Sequence, residues 1–147
     1  MRIHAKIDPF SKALLIFVLI VHAMFFILEA LLWMLPQVHT LLIGLLNNPV
    51  TTDTYTQALT LKNLFINQGF YNLFLVCTGI WGFLLVKKEQ YTAGYALLLM
   101  LCFSAIGAGI ILAFSTKAYV LAFFQSVPAS LLFFRLLPKF SNATKKP

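Results

Sequence analysis

Long apolar segments alternate with short polar ones along the whole chain. A helix needs about 20 predominantly apolar residues to cross the hydrocarbon core of a bilayer, and four segments are long enough. We place these spans at about residues 13–35, 62–86, 92–115 and 118–137. The pattern predicts an all-α, four-helix transmembrane bundle that forms a single domain over residues 1–147.

The connection between the first two spans, at about residues 36–61, is the only long one. It begins at Pro36 and contains a short apolar stretch from Val38 to Leu46, which is too brief to cross a bilayer. We therefore predict an interfacial or re-entrant helix there, ended by Asn47-Asn48-Pro49.

Composition and charge agree with a membrane protein. Hydrophobic residues make up 61% of the chain, charged residues only 10%, and the mean hydropathy is +0.89. Of the eleven Lys and Arg residues, only Lys62 and Lys117 fall in the loops opposite the termini. The positive-inside rule then predicts that both termini are cytoplasmic. Because the net charge of +7 is explained by this orientation, no nucleic-acid partner is expected.

The two cysteines and the small residues of the last two spans are explained by helix packing. Cys77 and Cys102 lie in apolar segments without further candidate ligands, so we expect no metal and no cofactor. Small residues that recur along a membrane helix allow close helix packing. We expect the last two spans to pack together, a homodimer contact being the competing use. The small residues are Ser104, Ala105, Ala108, Gly109, Ala118, Ala122, Ser126 and Ser130.

Glu29 is the most informative residue, because it interrupts an almost unbroken apolar run. A carboxylate at the centre of a membrane helix costs roughly 2.5–3.5 kcal/mol on insertion scales, and such residues usually face a protein interior. At about 100° per residue, His22, Glu29 and Trp33 lie within roughly 40° on one helix face. The sequence therefore predicts a polar interior, which the first span helps to form.

The second and fourth spans supply further polar side chains. Gln125 lies beside Pro128, which removes the amide that would bond the carbonyl of Phe124. We expect a ligand pocket formed by His22, Glu29, Trp33, Asn63, Asn67, Gln68, Tyr71, Asn72 and Gln125. Two alternatives remain open: these residues tie the helices together, at about 0.6 kcal/mol per hydrogen bond, or they line an ion or proton path.

Three sequence elements resemble domain-of-unknown-function family 1304, a family of small bacterial integral membrane proteins. They are the His22, Glu29 and Leu32-Trp33 pattern, the run Asn67-Gln68-Gly69-Phe70-Tyr71-Asn72, and Gln125-Ser126-Val127-Pro128. The resemblance covers about residues 13–135 and implies four helices in a bacterial cytoplasmic (inner) membrane. It marks Glu29, Asn67, Gln68, Tyr71, Asn72 and Gln125 as characteristic positions. Gln37 departs from the pattern, which has Arg or Lys after the proline.

Three functions fit these observations. The first is binding or transport of a small amphipathic or lipid-like molecule, with Glu29 holding a cationic or hydroxyl group and Trp33 and Tyr71 forming walls. The second is a membrane enzyme for a lipidic substrate, with proton transfer by Glu29 and His22. These two lie about 10.5 Å apart along a helix, so substrate or water would have to stand between them. The third is a structural or accessory subunit. Membrane lipid is the expected partner in each case.

Overall fold

The computed structural model describes residues 6–46 and 50–145, and every element in these ranges is helical. The expected helix end at Asn47-Asn48-Pro49 lies outside the described residues. Helix α1 is followed directly by a π-helical segment, and four further helices complete the described chain. The elements are α1 (Pro9–Phe26), the π-helical segment (Ile27–Leu31), α2 (Pro36–Leu46), α3 (Thr54–Lys87), α4 (Tyr91–Thr116) and α5 (Tyr119–Thr144).

Four of these helices are long and apolar enough to cross a membrane, as the sequence predicts. The first span ends at Leu31 instead of continuing to residue 35, because Leu32 leaves the helical conformation at φ −110° and ψ 1°. Helix α3 begins eight residues before the expected apolar boundary at residue 62. Asp53 caps it by accepting a hydrogen bond from the Thr56 backbone N–H at 3.0 Å. The short helix expected after Pro36 is α2.

The long helices form a four-membered ring in the order α1, α3, α4, α5. Each packs against its two neighbours in this ring, and the contact between α4 and α5 is the most extensive. Successive long helices run in opposite directions, so both termini lie at one end of the bundle. We call this the terminal end, and we call the opposite end, where α2 packs on α3, the distal end.

Glycines mark the closest approaches between helices. A Cβ built on Gly109 of α4 would lie 2.7 Å from the Ser126 Cβ and 2.9 Å from the Ala122 carbonyl oxygen in α5. A Cβ on Gly82 would likewise lie 3.0 Å from the Gly94 carbonyl oxygen, between α3 and α4. The expected packing of the last two spans is confirmed. The small faces therefore serve contacts within one chain, and the homodimer stays a prediction.

Polar contacts at the terminal end fasten the start of α1 to α5. Asp8 caps α1 by accepting a hydrogen bond from the Ser11 backbone N–H at 3.0 Å. Its carboxylate also lies 2.9 Å from Arg135 Nη2 and 3.7 Å from Lys139 Nζ. Partial desolvation raises the pKa of Asp8, but the hydrogen bonds from Ser11 and Arg135 and the charge of Arg135 outweigh it, so the pKa lies below its usual value.

Candidate functional site

A cavity of about 590 Å³ lies in the distal half of the bundle, with residues of all four long helices and of α2 in its lining. This volume is within the range of about 300–1,000 Å³ that is typical of small-molecule sites. Most of its wall is apolar. The polar lining residues are Glu29, Gln68, Asn72, Ser115, Thr116 and Gln125. We call it the polar cavity.

Glu29 and Asn72 form the central contact of the polar cavity. Asn72 Nδ2 donates a hydrogen bond to Glu29 Oε2 at 2.9 Å, which joins the first span to α3. The same nitrogen donates to the Gln68 backbone carbonyl at 3.2 Å, so both amide hydrogens of Asn72 are used. Asn72 is only 3% exposed. The acid therefore faces the protein interior, as the sequence predicts, and its partner on α3 is Asn72.

The π-helical segment places Glu29 at this position. Its wider turn closes through the Leu32 N–H to Ile27 carbonyl bond at 3.0 Å, and π-turns inside α-helices are frequent at functional sites. Gly69 allows α3 to approach the segment, because a Cβ there would lie 2.8 Å from the Ala30 backbone nitrogen. Helical periodicity in the sequence does not predict this irregular turn, and Gly69 within the polar run was the available signal.

Gln125 reaches the polar cavity from α5. Its side chain is 5% exposed and makes no hydrogen bond to any residue that the structure describes. Pro128 lies inside the same helix, as expected, and cannot donate to the Phe124 carbonyl. The amide of Gln125 therefore retains both its donors and its acceptor for a molecule in the cavity.

Trp33 does not line the polar cavity, in contrast to the expectation from the helical wheel. The first span ends before Trp33, so the indole no longer shares a face with Glu29. Trp33 is 1% exposed, its Nε1–H donates to the Ala58 carbonyl at 2.8 Å, and its ring stacks on Phe65 with centroids 3.7 Å apart. Since Phe65 does line the cavity, Trp33 supports the wall from behind.

His22 is also outside the lining of the polar cavity. It is fully buried, and its Nδ1–H donates to the Val18 carbonyl at 2.8 Å. Its Nε2 has no hydrogen-bond partner among the described residues. Only the carboxylate of the expected His22 and Glu29 pair therefore borders the cavity.

Three of the expected pocket residues on α3 lie on its outer side. Asn63, Asn67 and Tyr71 are exposed and do not line the polar cavity, and the partner of Glu29 is Asn72. Nine residues separate Asn63 from Asn72, which places them on opposite sides of a helix at about 100° per residue. Gly79 is buried against Leu19 and Leu101 on the Asn72 side, and this glycine could have identified the inward face.

His39 is a buried polar residue that is not among the pocket residues expected from the sequence. It is 3% exposed, and its Nδ1–H donates to the Trp33 carbonyl at 3.1 Å. This contact joins α2 to the turn after the π-helical segment. Leu42 and Leu46 of the same helix line the polar cavity, so α2 covers part of it. The position of His39 within a short apolar helix was the only signal in the sequence.

The chain matches a known protein family over most of its length. The model of the protein family of unknown function DUF1304 matches residues 16–137, which is most of the chain. No curated protein and no solved structure gives a significant match. The match covers the first span from Ile16, the two carboxamide residues of α3 that line the cavity (Gln68 and Asn72), and Gln125 on α5. With this match and the four apolar helices, the chain is an integral membrane protein that belongs to the family DUF1304.

Proposed function

We propose that the chain binds a small amphipathic molecule in the polar cavity. The observation that carries this proposal is the combination of about 590 Å³ of space, mostly apolar walls, and polar side chains from all four membrane spans in one cavity. Sites for small molecules usually have this composition, with a few polar groups that orient the ligand. Glu29, Asn72 and Gln125 would hold the polar group of the molecule.

The molecule would enter from the lipid. Leu64 of α3 and Ile111 of α4 both line the polar cavity and are 63% and 66% exposed, so the cavity reaches the outer surface between these helices. These two exposed side chains are apolar and suit the hydrocarbon interior of a bilayer. An alkyl chain could therefore leave the cavity between α3 and α4 while its polar group stays inside.

Trp33 is a built-in reporter for this binding. It stacks on Phe65 in the cavity wall, whereas the only other tryptophan, Trp81, is 61% exposed. A Trp81→Phe chain in nanodiscs would be titrated with bromododecanol and bromododecylamine that carry the bromine on the head-group half of the chain, so that it stays in the cavity and quenches a nearby indole. We expect saturable quenching by at least one of the two probes.

Two matched variants test whether the polar cavity is the site. Ala108 lines it, so Ala108→Leu should fill space and abolish saturable quenching. Ala96→Leu makes the same change on an exposed face of α4 and should bind as the parent does. If Ala108→Leu stays folded by circular dichroism and binds both probes unchanged, the proposal is wrong.

A membrane enzyme that moves protons between Glu29 and His22 has less support. Such a mechanism needs both groups at the substrate, and His22 does not line the polar cavity. The Glu29 to Asn72 hydrogen bond would by itself suit a structural or accessory subunit. In a structural or accessory subunit the side chain of Gln125, which makes no hydrogen bond to a described residue, would have no role. In a ligand-binding protein it would contact the ligand.

We also propose a location in a bacterial cytoplasmic membrane with both termini inside. The described cations gather at the terminal end, with only Lys62 and Lys117 at the distal end, in agreement with the positive-inside rule. A fluorescent protein fused to the C-terminus should fold and fluoresce, whereas an alkaline phosphatase fusion there should be inactive. The opposite result would invert the orientation and place the polar cavity in the inner half of the membrane. The cations at the terminal end are Lys6, Lys12, Lys87, Lys88, Arg135, Lys139 and Lys145.

A further inference from the structure

We propose that the head group held in the polar cavity is a protonated amine with N–H donors, carried on an alkyl chain. This inference rests on the function proposed above and names its ligand class. It follows from the hydrogen-bonding atoms that remain available in the cavity, from the charges around it, and from its aromatic walls.

The contact between Glu29 and Asn72 leaves acceptors available and uses up donors. Asn72 Nδ2 donates both of its hydrogens, one to Glu29 Oε2 and one to the Gln68 carbonyl. The second carboxylate oxygen of Glu29 and the Oδ1 of Asn72 accept no hydrogen bond from any described residue. Because these two oxygens belong to neighbouring side chains, a head group with several N–H donors can serve both.

No basic side chain balances the carboxylate. The described lining of the polar cavity contains Glu29 as its single acidic group and neither Lys, Arg nor His. The distal cations Lys62 and Lys117 are exposed and lie outside the lining. Asn72 is ten residues beyond Lys62, about 15 Å along α3, which is half of a hydrocarbon core of about 30 Å. A carboxylate at this depth favours a cationic ligand and opposes an anionic one.

The walls also favour a cation. Phe25 and Phe65 both line the polar cavity. An ammonium group over an aromatic face is attracted by the negative charge of the ring face, and more strongly when it is desolvated. The free amide of Gln125 can turn its oxygen toward the same group. A neutral alcohol would use these features only in part, since it has one donor and no charge.

The experiment compares four probes that share a bromododecyl tail and differ in the head group. These are the amine, the alcohol, the trimethylammonium and the phosphate, each titrated at neutral pH into the Trp81→Phe chain in uncharged nanodiscs. Hydrogen bonds to charged groups are worth about 1.5–3 kcal/mol, so the amine should bind about ten- to hundredfold more tightly than the alcohol. The trimethylammonium should bind less tightly than the amine, and the phosphate least tightly.

Two variants assign the difference to one carboxylate. Glu29→Gln keeps the shape of the side chain and removes its charge, so it should lower the amine affinity about ten- to hundredfold and leave the alcohol nearly unchanged. Glu89→Gln makes the same change in an exposed residue at the terminal end and should change neither affinity. Binding of the alcohol shows that the Glu29→Gln chain is folded.

The wild-type ratios alone can overturn the inference, even if Glu29→Gln fails to fold. Equal affinities of the amine and the alcohol would refute the cationic head group while leaving the binding function intact. Tightest binding of the phosphate would refute it as well. Equal affinities of the amine and the trimethylammonium would refute the requirement for N–H donors. If no probe binds, the proposed function itself fails.

Discussion

Replacing Gly69 by alanine should destabilise the protein, because α3 packs closely against the π-helical segment at this residue. A Cβ on Gly69 would lie 2.8 Å from the Ala30 Cβ and 2.8 Å from the Ala30 backbone nitrogen. Non-bonded carbon atoms prefer separations of about 3.5–4.0 Å, so the two segments must separate by roughly 1 Å. Part of the obstacle is backbone, which cannot move aside as a flexible side chain would.

Two opposing terms set the size of the effect. Forcing extra atoms into a packed interior typically costs about 1–3 kcal/mol. Alanine is also a better helix former than glycine by about 1 kcal/mol. The net loss in the free energy of unfolding for Gly69→Ala should therefore be about 1 kcal/mol.

Gly107→Ala is the matched control, because Gly107 lies in the middle of α4 and a Cβ there would meet no atom within 4 Å. It gains the helix propensity without the clash, so it should be stabilised by up to about 1 kcal/mol. The difference between the two variants isolates the steric term, about 1–3 kcal/mol. Unfolding in mixed micelles with increasing dodecyl sulfate, followed by circular dichroism, measures it. Equal stabilities of the two variants would refute the close contact between Gly69 and Ala30.

Two other perturbations test the contacts that hold α2 and the N-terminal segment. Trp33→Phe keeps a ring to stack on Phe65 but loses the N–H donated to the Ala58 carbonyl. It should lower the free energy of unfolding by about 1 kcal/mol and speed amide exchange in α2. Unchanged exchange would contradict this expectation. Asp8→Ala removes the cap of α1 and the contact with Arg135, and should cost about 1 kcal/mol at neutral pH. The pKa of Asp8 is lowered in the folded chain, so its contribution to the free energy of unfolding is present above the ordinary pKa of about 3.9. This contribution is lost as the pH falls below that value, and the melting temperatures of variant and wild type should converge there. A gap that stays constant in acid would show that the charge of Asp8 plays no part.

Hydropathy alone predicted the four spans and the short helix between the first two, because burial in lipid requires long apolar segments whatever their neighbours are. The packing of α4 against α5 was also predictable, since small residues at Gly109 and Ser126 leave space that only a close neighbour fills. The end of the first span was not predictable, because the residues from Leu32 to Leu35 are as apolar as those before them.

The sequence by itself determined that this chain is a helical membrane protein with an acid and several carboxamides inside its spans. Only the tertiary structure decided which of them meet: Asn72 bonds Glu29, while Asn63 and Asn67 face outward. Polar residues surround a large part of α3, so helical periodicity does not show which side faces the bundle. That choice depends on the neighbouring helices, on the close approach at Gly69 and on the π-turn that aims Glu29, and no periodic pattern in the sequence encodes these three features.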